Sequence, residues 1–417
     1  MKILILSTYD LEGGAAIAAT RLMQALSKNG HQVKMLVASK TSDNKNIEQA
    51  SSVFGNKTQK VHLAIEKGLF LLQEKYKSIR FQFSTAVSGF PIHENPLVEW
   101  ADVIHLHWTL QGFLSLQEIS NLQKLGKPIV WTLHDMWAFT GGCHYAGDCD
   151  HFQNTCGNCL YLRNPSPKDL SFKIHQKKKS IYNNFQIVTC SQWLRQVAKT
   201  SSLLKDFDIE AIANPIDTHL FLPSKNRKKL KLLLNLDPSK SYILFGASSL
   251  KDQRKGLHYF LEAMKLYRQS HSNLPSIILY GSQNHDVKID GFEIIHSGFL
   301  SQNELIAYYQ ASDIYVITSL EDNLPNTVME AIACGLPVLS FEIGGIPEMV
   351  QHLQSGYIAQ YKSIEDICNG LDVLLHSADL NQMSQNARNY CLENFSEKVI
   401  AEKYTKKYQS LLGSFNK

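Results

Sequence analysis

Two acidic side chains in the second half of the chain have a spacing that suits a phosphorylated ligand. Asp322 lies in the segment 319–326, which follows the apolar strand pattern 314–318, and Glu330 lies eight residues later in a stretch of helical spacing. Such carboxylates can accept hydrogen bonds from sugar and ribose hydroxyls, and the helix start between them offers unpaired backbone N–H groups to a phosphate. An exposed loop acid and an ordinary helical glutamate would show the same spacing, so the pair alone leaves both interpretations open.

A glycine pair near the start of the chain is a second candidate for phosphate binding. Gly13 and Gly14 follow the strand pattern 2–7 and precede helical spacing over residues 16–27. Backbone without side chains can approach a diphosphate closely, and the N-terminus of the following helix favours its negative charge. A plain tight turn would contain the same pair. The pattern is not Gly-x-Gly-x-x-Gly, which disfavours a dinucleotide-dependent dehydrogenase.

Four cysteines cluster in residues 141–160, a segment that interrupts the alternation of strands and helices. Four thiolates this close together in sequence, two of them in a Cys-x-x-Cys pair, can form a tetrahedral structural zinc site, with His144 and His151 as alternative ligands. Two disulfides or free thiols are the other interpretations, and a reducing compartment would favour metal over disulfides. The predicted zinc ligands are Cys143, Cys149, Cys156 and Cys159.

The elements that must position these residues alternate strictly between strand and helix patterns. One series ends near residue 214 and a second begins near residue 242, which predicts an N-terminal domain 1–215 and a C-terminal domain 216–417. The second domain is taken to include a terminal helix over 397–412. Doubly wound parallel sheets bind ligands at the carboxyl ends of their strands, so we expect the site in a cleft between two facing domains.

Composition narrows the class of protein. A chain of 417 residues with 44% hydrophobic and 19% charged residues is long enough for two folded domains. The net charge of +4 gives no reason to expect nucleic acid as a partner. The first seven residues suit a strand better than a signal peptide, and no apolar run is long enough for a spanning helix, so we expect a cytoplasmic protein.

The motif around the two acids resembles the signature of glycosyltransferase family 4. The run 319–331 contains both acids with a Leu-Pro between them, and Cys-Gly-Leu-Pro-Val follows at 334–338. The resemblance continues in the same order along nearly the whole chain. Further matching segments are 13–16, 102–107, 130–134, 214–217 and 344–348.

This resemblance implies a retaining transferase of the GT-B fold, with two Rossmann-like domains. It would move a sugar from a nucleotide diphosphate sugar, carrying uridine or guanosine, to a glycan or lipid-linked acceptor in bacterial surface-polysaccharide synthesis. The cysteine-rich segment departs from the common family pattern and is similar to an exopolysaccharide-type subset. A sugar-nucleotide epimerase of the same fold and an inactive two-domain binding module are the alternatives.

The resemblance also implies roles for individual residues. Asp322 stands where the family has its first acid, normally glutamate, and the adjacent Glu321 could share that role. Lys255 matches the lysine that neutralises the leaving diphosphate; the usual arginine before it is missing, and Arg254 is the candidate for the second charge. His134 matches the histidine near the transferred sugar. The donor-binding set implied is Gly13, Gly14, Lys255, Asn323, Leu324 and Glu330.

Two expectations concern cofactors and surfaces. No Asp-x-Asp motif stands where a donor-bridging cation would need it, so we predict catalysis without a divalent metal, by same-face displacement. Basic residues mix with apolar ones over 67–81, and a second basic run covers 173–179. Both segments are compatible with peripheral contact to an anionic inner membrane face, and equally with solvated helices.

Overall fold

The computed structural model describes residues 1–50, 58–183, 185–282, 287–377 and 379–415. By their internal contacts these residues divide into two compact units. Unit 1 comprises Met1–Pro215 and Glu397–Lys417, and unit 2 comprises Ile216–Ser396.

Unit 1 is built on a parallel sheet whose central strands are buried on both faces. Among the described residues, seven strands lie in the order β3-β2-β1-β4-β5-β6-β7, and each neighbouring pair is parallel. Continuous apolar runs such as Ile3–Leu6 are fully buried, as expected for a sheet covered by helices on both sides. The strands are β1 Lys2–Tyr9, β2 Gln32–Ser39, β3 Ile47–Gln49, β4 Val103–Leu106, β5 Ile129–Leu133, β6 Phe185–Thr189 and β7 Ile209–Ala211.

The helices of unit 1 connect these strands and cover the sheet. They are α1 Gly14–Lys28, α2 Thr58–Leu71, α3 Pro96–Trp100, α4 Leu116–Lys124, α5 Leu170–Ile181, α6 Gln192–Thr200 and, from the end of the chain, α13 Glu397–Phe415.

The terminal helix α13 corrects the sequence-based division, which placed it in the second domain. Tyr404 and Tyr408 are buried in a core cluster formed with β1, β2 and α1. The Tyr408 hydroxyl bonds Nδ1 of His105 at 2.7 Å, and the Tyr404 hydroxyl bonds Oγ1 of Thr132 at 2.9 Å. The helix belongs to unit 1 because its apolar stripe and both hydroxyls find their partners there, a choice that helical periodicity cannot reveal.

Unit 2 repeats the architecture with a second parallel sheet. Six described strands lie in the order β10-β9-β8-β11-β12-β13. The strands up to β10 are added on one side of β8, and those from β11 onward are added on its other side. The strands are β8 Tyr242–Ser249, β9 Ser276–Ser282, β10 Ile294–Gly298, β11 Ile314–Ile317, β12 Val338–Phe341 and β13 Gly356–Ala359. The helices are α7 Arg227–Leu233, α8 Leu257–Ser270, α9 Gln302–Ala311, α10 Asn326–Ala333, α11 Ile364–Asp372 and α12 Leu380–Phe395.

Both strand orders are those of a Rossmann-like sheet, in which ligands bind beyond the carboxyl ends of the strands. Across the described parts of both units, we find no helix long and apolar enough to cross a bilayer.

Candidate active site

The carboxyl edge of the unit 1 sheet brings together three side chains that follow adjacent strands. His107 comes directly after β4, His134 after β5 and Cys190 after β6. Nδ1 of His107 lies 2.9 Å from Nε2 of His134, and Nδ1 of His134 lies 3.4 Å from Sγ of Cys190. Because parallel strands end at the same edge, residues far apart in sequence form one row here.

Hydrogen bonding along this row assigns the histidine tautomers. The Cys190 thiol donates to the carbonyl of Leu133, so its sulfur is left to accept from Nδ1–H of His134. Nε2 of His134 then accepts from Nδ1–H of His107. Nε2 of His107 is consequently a lone-pair acceptor. It is buried and finds no hydrogen-bond partner among the described residues.

Burial keeps this row uncharged near neutral pH. Desolvation lowers the pKa of His134 to about 4, although the Asp135 carboxylate opposes the shift. Burial, with the neighbouring His105 and His134, holds the pKa of His107 well below its ordinary value. A neutral imidazole can accept or donate a hydrogen bond to a sugar without bringing a charge into the pocket.

His134 lines a small pocket at this edge, together with His107, Trp108 and Asp135. Both ring nitrogens of His134 are engaged in the row. A sugar hydroxyl that bonds His134 must therefore replace one of these two contacts, and His107 or Cys190 would adjust.

The cysteine-rich segment 141–160 is tied to this pocket through Asp135. Nδ1 of His144 donates to the Asp135 carboxylate at 2.6 Å, and Nε2 of His144 bonds Oγ of Ser84 at 3.0 Å. Burial alone would raise the pKa of Asp135, but the charge and hydrogen bond of His144, with N–H groups of Trp137 and Trp108, outweigh it and lower that pKa. Since both ring nitrogens of His144 are occupied, we do not expect it to replace a cysteine as a zinc ligand.

The four cysteines of the segment lie near one another as free thiols. The other three help to raise the pKa of Cys143, after the larger effect of its burial. Burial likewise raises the pKa of Cys156 to about 12 and that of Cys159 to about 11. Within the described residues, no three of the four sulfurs lie within 4.8 Å of one another. Zinc binding by this segment therefore stays a prediction.

Gly13 has a backbone conformation that only glycine adopts easily. Its φ of 87° and ψ of 160° place it outside the regions open to other residues, just before α1 begins at Gly14. A Cβ at position 13 would meet no heavy atom within 4 Å, so the space beside it is open. The constraint at Gly13 is conformational, and the open space leaves this turn accessible.

Unit 2 joins two of the predicted site residues directly. Nζ of Lys255 lies 2.8 Å from Oδ2 of Asp322, and the side chains are 28% and 15% exposed. Lys255 ends the loop after β8, and Asp322 lies in the loop after β11. These two strands are neighbours in the sheet. Of the adjacent acids Glu321 and Asp322, the second makes this contact with the lysine.

Two glycines allow the loops around this ion pair to lie against each other. Gly256 has φ of 64°, and a Cβ there would lie 1.8 Å from the carbonyl oxygen of Thr318. Gly344 has φ of 52°, and a Cβ there would lie 1.8 Å from the carbonyl oxygen of Asp322. The next residue, Gly345, donates its N–H to the carbonyl of Asn323 at 2.6 Å. Larger residues at 256 and 344 would force the loops that carry Lys255 and Asp322 apart.

Glu330 and Asn323 are both buried, Glu330 within α10 and Asn323 in the loop that precedes it. Glu330 is 7% exposed in α10, and its Oε2 accepts from the Tyr309 hydroxyl at 3.2 Å. Asn323 is 3% exposed and Leu324 is 7% exposed in the loop before α10. Burial and the charges of Glu330 and Asp322 raise the pKa of Tyr315 to about 12, so both carboxylates act on one buried phenol.

Arg254 is held beside Lys255 by a neighbouring acid. Its Nη2 donates to Oδ2 of Asp252 at 2.7 Å, and its side chain is 38% exposed. Its carbonyl accepts from the N–H of Leu320 at 2.6 Å, which joins the two loops a second time. The ion pair with Asp252 offsets much of the positive charge predicted to assist Lys255.

Three helix starts in these regions lack a side-chain cap. In α1, α8 and α10 no N–H group of the first turn donates to the side chain of the preceding residue, whereas in α4, α6 and α9 the N-cap serine accepts from one N–H group of that turn. The three uncapped helices begin next to Gly13, Gly256 and Pro325. The positive end of the helix dipole favours an anion at such helix starts.

Several of these features were missed by the sequence interpretation. The Cys190 thiol, the Tyr309 hydroxyl and the Asp135–His144 pair carry no motif. Cys190 could have been found by its position, since it follows β6 as His107 and His134 follow β4 and β5.

Solved structures with the same fold are glycosyltransferases and related enzymes. Sucrose-phosphate synthase of Thermosynechococcus elongatus aligns with a TM-score of 0.67 over 99% of both chains at 15% identity. The Anabaena protein HepE in complex with UDP-glucose aligns with a TM-score of 0.63 at 15% identity, over 98% of this chain and 100% of that one. The two Rossmann-like units are therefore of the GT-B class of α/β fold.

Family models match both units of the chain. The model described as Glycosyltransferase Family 4 covers residues 12–220, half of the chain, and the model described as Glycosyl transferases group 1 covers residues 226–390. The chain belongs to glycosyltransferase family 4.

Individual relatives are distant. An uncharacterised glycosyltransferase of Methanocaldococcus jannaschii is 22% identical over 95% of this chain and 94% of its own. An uncharacterised glycosyltransferase of Haemophilus influenzae is 29% identical over 52% of this chain and 61% of its own length. An N-acetylgalactosaminyltransferase of Campylobacter jejuni, named for a diphospho-undecaprenol acceptor, is 24% identical over 46% of this chain and 50% of its own.

Proposed function

We propose that this glycosyltransferase uses a uridine or guanosine diphosphate sugar as donor and retains the anomeric configuration of the sugar that it transfers. The acceptor proposed is a glycan or a lipid-linked saccharide in the synthesis of a bacterial surface polysaccharide. The single observation that carries the proposal is the 2.8 Å contact of Lys255 with Asp322 beside two uncapped helix starts.

That contact supports a diphosphate at the loops after β8 and β11. The Lys255 ammonium and the starts of α8 and α10, whose N–H groups have no N-cap side chain as acceptor, provide positive potential where a leaving diphosphate gains charge. The Asp322 carboxylate keeps the lysine in place, and it is also an acceptor for a donor hydroxyl. Charge stabilisation of this kind is often the largest single contribution to catalysis.

Same-face displacement accounts for retention without a protein nucleophile. The bond between the anomeric carbon and the donor phosphate oxygen breaks, and the acceptor oxygen bonds the carbon on the same face. The acceptor proton passes to the departing phosphate oxygen. The chain's task is then to hold both substrates and to stabilise the developing charge.

His134 and the row behind it are proposed to bind the transferred sugar. The neutral imidazole contributes a hydrogen bond, and Nε2 of His107, which has no partner among the described residues, lies in the same row. A hydroxyl that displaces His107 from His134 would leave His107 free to turn its ring.

A lipid-linked acceptor is supported by the relatives named for undecaprenol-linked substrates, which match about half of this chain. It is also supported by an exposed apolar stripe on α2. Val61, Ile65 and Leu69 are 41%, 45% and 47% exposed, and Leu72 after the helix is 75% exposed. Residues four apart share one face of a helix, so Val61, Ile65 and Leu69 form a single stripe, and Leu72 follows it after the helix ends.

Basic and aromatic side chains flank the stripe in the manner of a membrane-binding surface. Nζ of Lys67 lies 4.2 Å from the ring centre of Phe81, which is itself 59% exposed. Lys75 and Lys77 are exposed nearby in sequence. Lys178 of the second basic run is buried beneath Trp137, so it does not contribute to such a surface. We propose that the α2 stripe contacts an anionic bilayer.

The donor proposal is tested by incubating the purified chain with a panel of uridine and guanosine diphosphate sugars. Slow donor hydrolysis and thermal stabilisation by one donor are expected, and both should persist in EDTA. Lys255→Ala and Asp322→Asn should lower hydrolysis by about 10²–10³-fold. Lys265→Ala is the matched control, because Lys265 is an exposed lysine on the same helix α8.

Each alternative function has its own outcome. Equal loss of hydrolysis in Lys255→Ala and Lys265→Ala would refute the diphosphate role of Lys255. Conversion of the donor sugar to its epimer, without transfer, would identify an epimerase. Stabilisation by no donor would favour a binding module. Retention is read from the anomeric coupling constant of the transferred sugar by NMR, and an inverted product would contradict it.

The membrane contact is tested by co-sedimentation with vesicles at low salt. Binding to anionic vesicles, and little binding to zwitterionic ones, is expected for the unaltered chain. The double variant Leu69→Ser/Leu72→Ser should lose most of it. Leu232→Ser/Leu233→Ser is the control, since these leucines on α7 are 62% and 70% exposed in unit 2. Equal binding by both double variants would refute the assignment of the surface.

A further inference from the structure

The far end of helix α8 carries a cluster of potential metal ligands that the transferase site does not use. His271 follows the last residue of α8, and Asp372 ends α11, the helix that packs against α8. His376 lies one turn further, in a π-helical segment Val373–Ser377. One ligand atom from each of the three residues lies within 4.8 Å of the others.

The hydrogen bonds of His271 leave its other nitrogen facing a carboxylate. Nδ1 of His271 lies 3.0 Å from the backbone carbonyl of Tyr267, which can only accept, so Nδ1 carries the proton. In a neutral ring Nε2 then has only a lone pair, and it lies 2.9 Å from Oδ1 of Asp372. Two electron-rich atoms at this distance need a positive charge between or beside them: a second proton on the ring, or a cation.

Oδ1 of Asp372 lacks a hydrogen-bond donor, among the described residues, that would compensate its negative charge. This oxygen atom is buried and accepts no hydrogen bond from any described residue, although 45% of the Asp372 side chain is exposed. An orphaned carboxylate oxygen costs free energy unless a charge compensates it. The contact with His271 is close without being a well-aligned hydrogen bond, and an ion bound by both groups would satisfy both.

Tyr267 orients both imidazoles as the outer partners of metal-bound histidines commonly do. Its carbonyl holds Nδ1 of His271, and its hydroxyl bonds Nε2 of His376 at 2.7 Å. The His271 and His376 rings lie parallel within 5°, with centres 5.4 Å apart. Ligation through Nδ1 of His376 would leave its Nε2–H on the tyrosine. Such second contacts fix the tautomer and the ring direction of a ligand.

We propose that His271, Asp372 and His376 bind a divalent transition-metal ion, zinc in the first instance, at the junction of α8 and α11. Two imidazoles and one carboxylate, with water as fourth ligand, form a usual zinc environment. Imidazole ligands also favour zinc over magnesium or calcium. Single π-helical turns occur often at functional sites, and His376 lies in such a turn directly after Asp372.

Such an ion would fasten the end of α8, the helix whose other end follows Lys255, to α11. The expected effect is on the stability of unit 2 and not on the chemistry of transfer. A ligand at one hundred times its Kd should raise the melting temperature by about 5–10 °C in a unit of this size.

The test is designed to separate this site from the cysteine-rich segment. Cys156→Ser/Cys159→Ser protein, freed of metal with EDTA and dialysed, is titrated with zinc chloride by calorimetry. One equivalent of zinc should bind, with the rise in melting temperature given above. Cobalt should bind with visible d–d absorption and without a thiolate charge-transfer band, because only nitrogen and oxygen ligands are involved.

Variants of the three ligands are made in the same background. His271→Ala, His376→Ala and the nearly isosteric Asp372→Asn should each weaken zinc binding by at least about 10–100-fold. If an alanine variant folds poorly, zinc binding by the nearly isosteric Asp372→Asn variant still tests whether this site binds the metal. His219→Ala, an exposed histidine elsewhere in unit 2, is the control and should bind as the parent does.

Three results would overturn the proposal. They are no saturable zinc binding in the cysteine-substituted protein, unchanged binding in all three ligand variants, and cobalt spectra that require sulfur ligands.

Discussion

Comparison of Gly256→Ala with Gly126→Ala should separate two energetic costs of adding a Cβ to a glycine with positive φ. One is the strained backbone conformation, and the other is a steric clash with neighbouring backbone. Gly256 has φ of 64°, and its Cβ position lies 1.8 Å from the carbonyl oxygen of Thr318. Gly126 has nearly the same φ, 66°, but a Cβ there would meet nothing within 4 Å. Gly126→Ala therefore carries the conformational cost alone, whereas Gly256→Ala adds a clash with backbone.

The magnitudes follow from these contacts. A left-handed conformation costs an alanine about 1–2 kcal/mol, part of which is returned by the lower entropy of the unfolded chain. We expect about 1 kcal/mol for Gly126→Ala. At Gly256 the backbone must also move by more than 1 Å, and forced repacking of this kind costs about 1–3 kcal/mol more. The total should be about 3 kcal/mol.

The assays are thermal unfolding and donor hydrolysis. For units of this size, Gly126→Ala should lower the melting temperature by about 2–4 °C and Gly256→Ala by about 6–12 °C. Displacement of the adjacent Lys255 by about 1 Å should also reduce hydrolysis by about 10²-fold in Gly256→Ala. Gly126 follows α4 at the amino end of β5, away from the ligand edge of its sheet, so hydrolysis should be unchanged there.

Equal melting temperatures for the two variants would show that the carbonyl of Thr318 yields easily and that the close approach is not needed. Normal hydrolysis by a well-folded Gly256→Ala variant would refute the argument that this approach positions Lys255.

Three further predictions concern protonation, a buried acid and the thiols. The pKa of His134 is about 4 in the folded chain and ordinary in the unfolded one, so its contribution to stability should be complete above about pH 6.5 and lost as the pH falls towards 4. Between pH 8 and pH 4, the melting temperature of His134→Gln should therefore fall less steeply with falling pH than that of the unaltered chain. Identical slopes would contradict this. Tyr309→Phe removes the hydroxyl that donates to Glu330, and should cost about 1 kcal/mol in unfolding free energy and raise the donor KM; an unchanged KM would separate Glu330 from donor binding. Metal analysis of the protein as purified should find a zinc ion that is lost in Cys156→Ser/Cys159→Ser, apart from any zinc held by His271, Asp372 and His376. Protein that purifies with no zinc and whose thiols all titrate would exclude a zinc centre in the segment 141–160.

The secondary structure could be predicted from the sequence because the residue patterns that indicate a strand or a helix lie within short segments of the chain. The strand patterns at 2–7 and 314–318 coincide with β1 and β11 to within about two residues. The helical spacing recognised around Glu330 corresponds to α10, Asn326–Ala333. Alternation of the two patterns determined the fold class, and the family signature determined the family; both are confirmed. The roles of the individual site residues stay predictions.

Contacts between distant residues could not be predicted in this way. Sequence placed Lys255 and Asp322 in separate loops, and only the adjacency of β8 and β11 brings their charges to 2.8 Å. It singled out His134, but not the hydrogen bonds that occupy both its nitrogens, since these come from residues after two other strands.

The amino-acid sequence by itself determined the order of strands and helices, the two-domain α/β class and the family, because periodicity and short motifs lie within a few turns of chain. The tertiary structure decided where α13 packs, which acid contacts Lys255, and that His271, Asp372 and His376 meet. These outcomes depend on strand order and helix packing. Both are set by the burial of apolar surface over the whole of a unit, which no local pattern records.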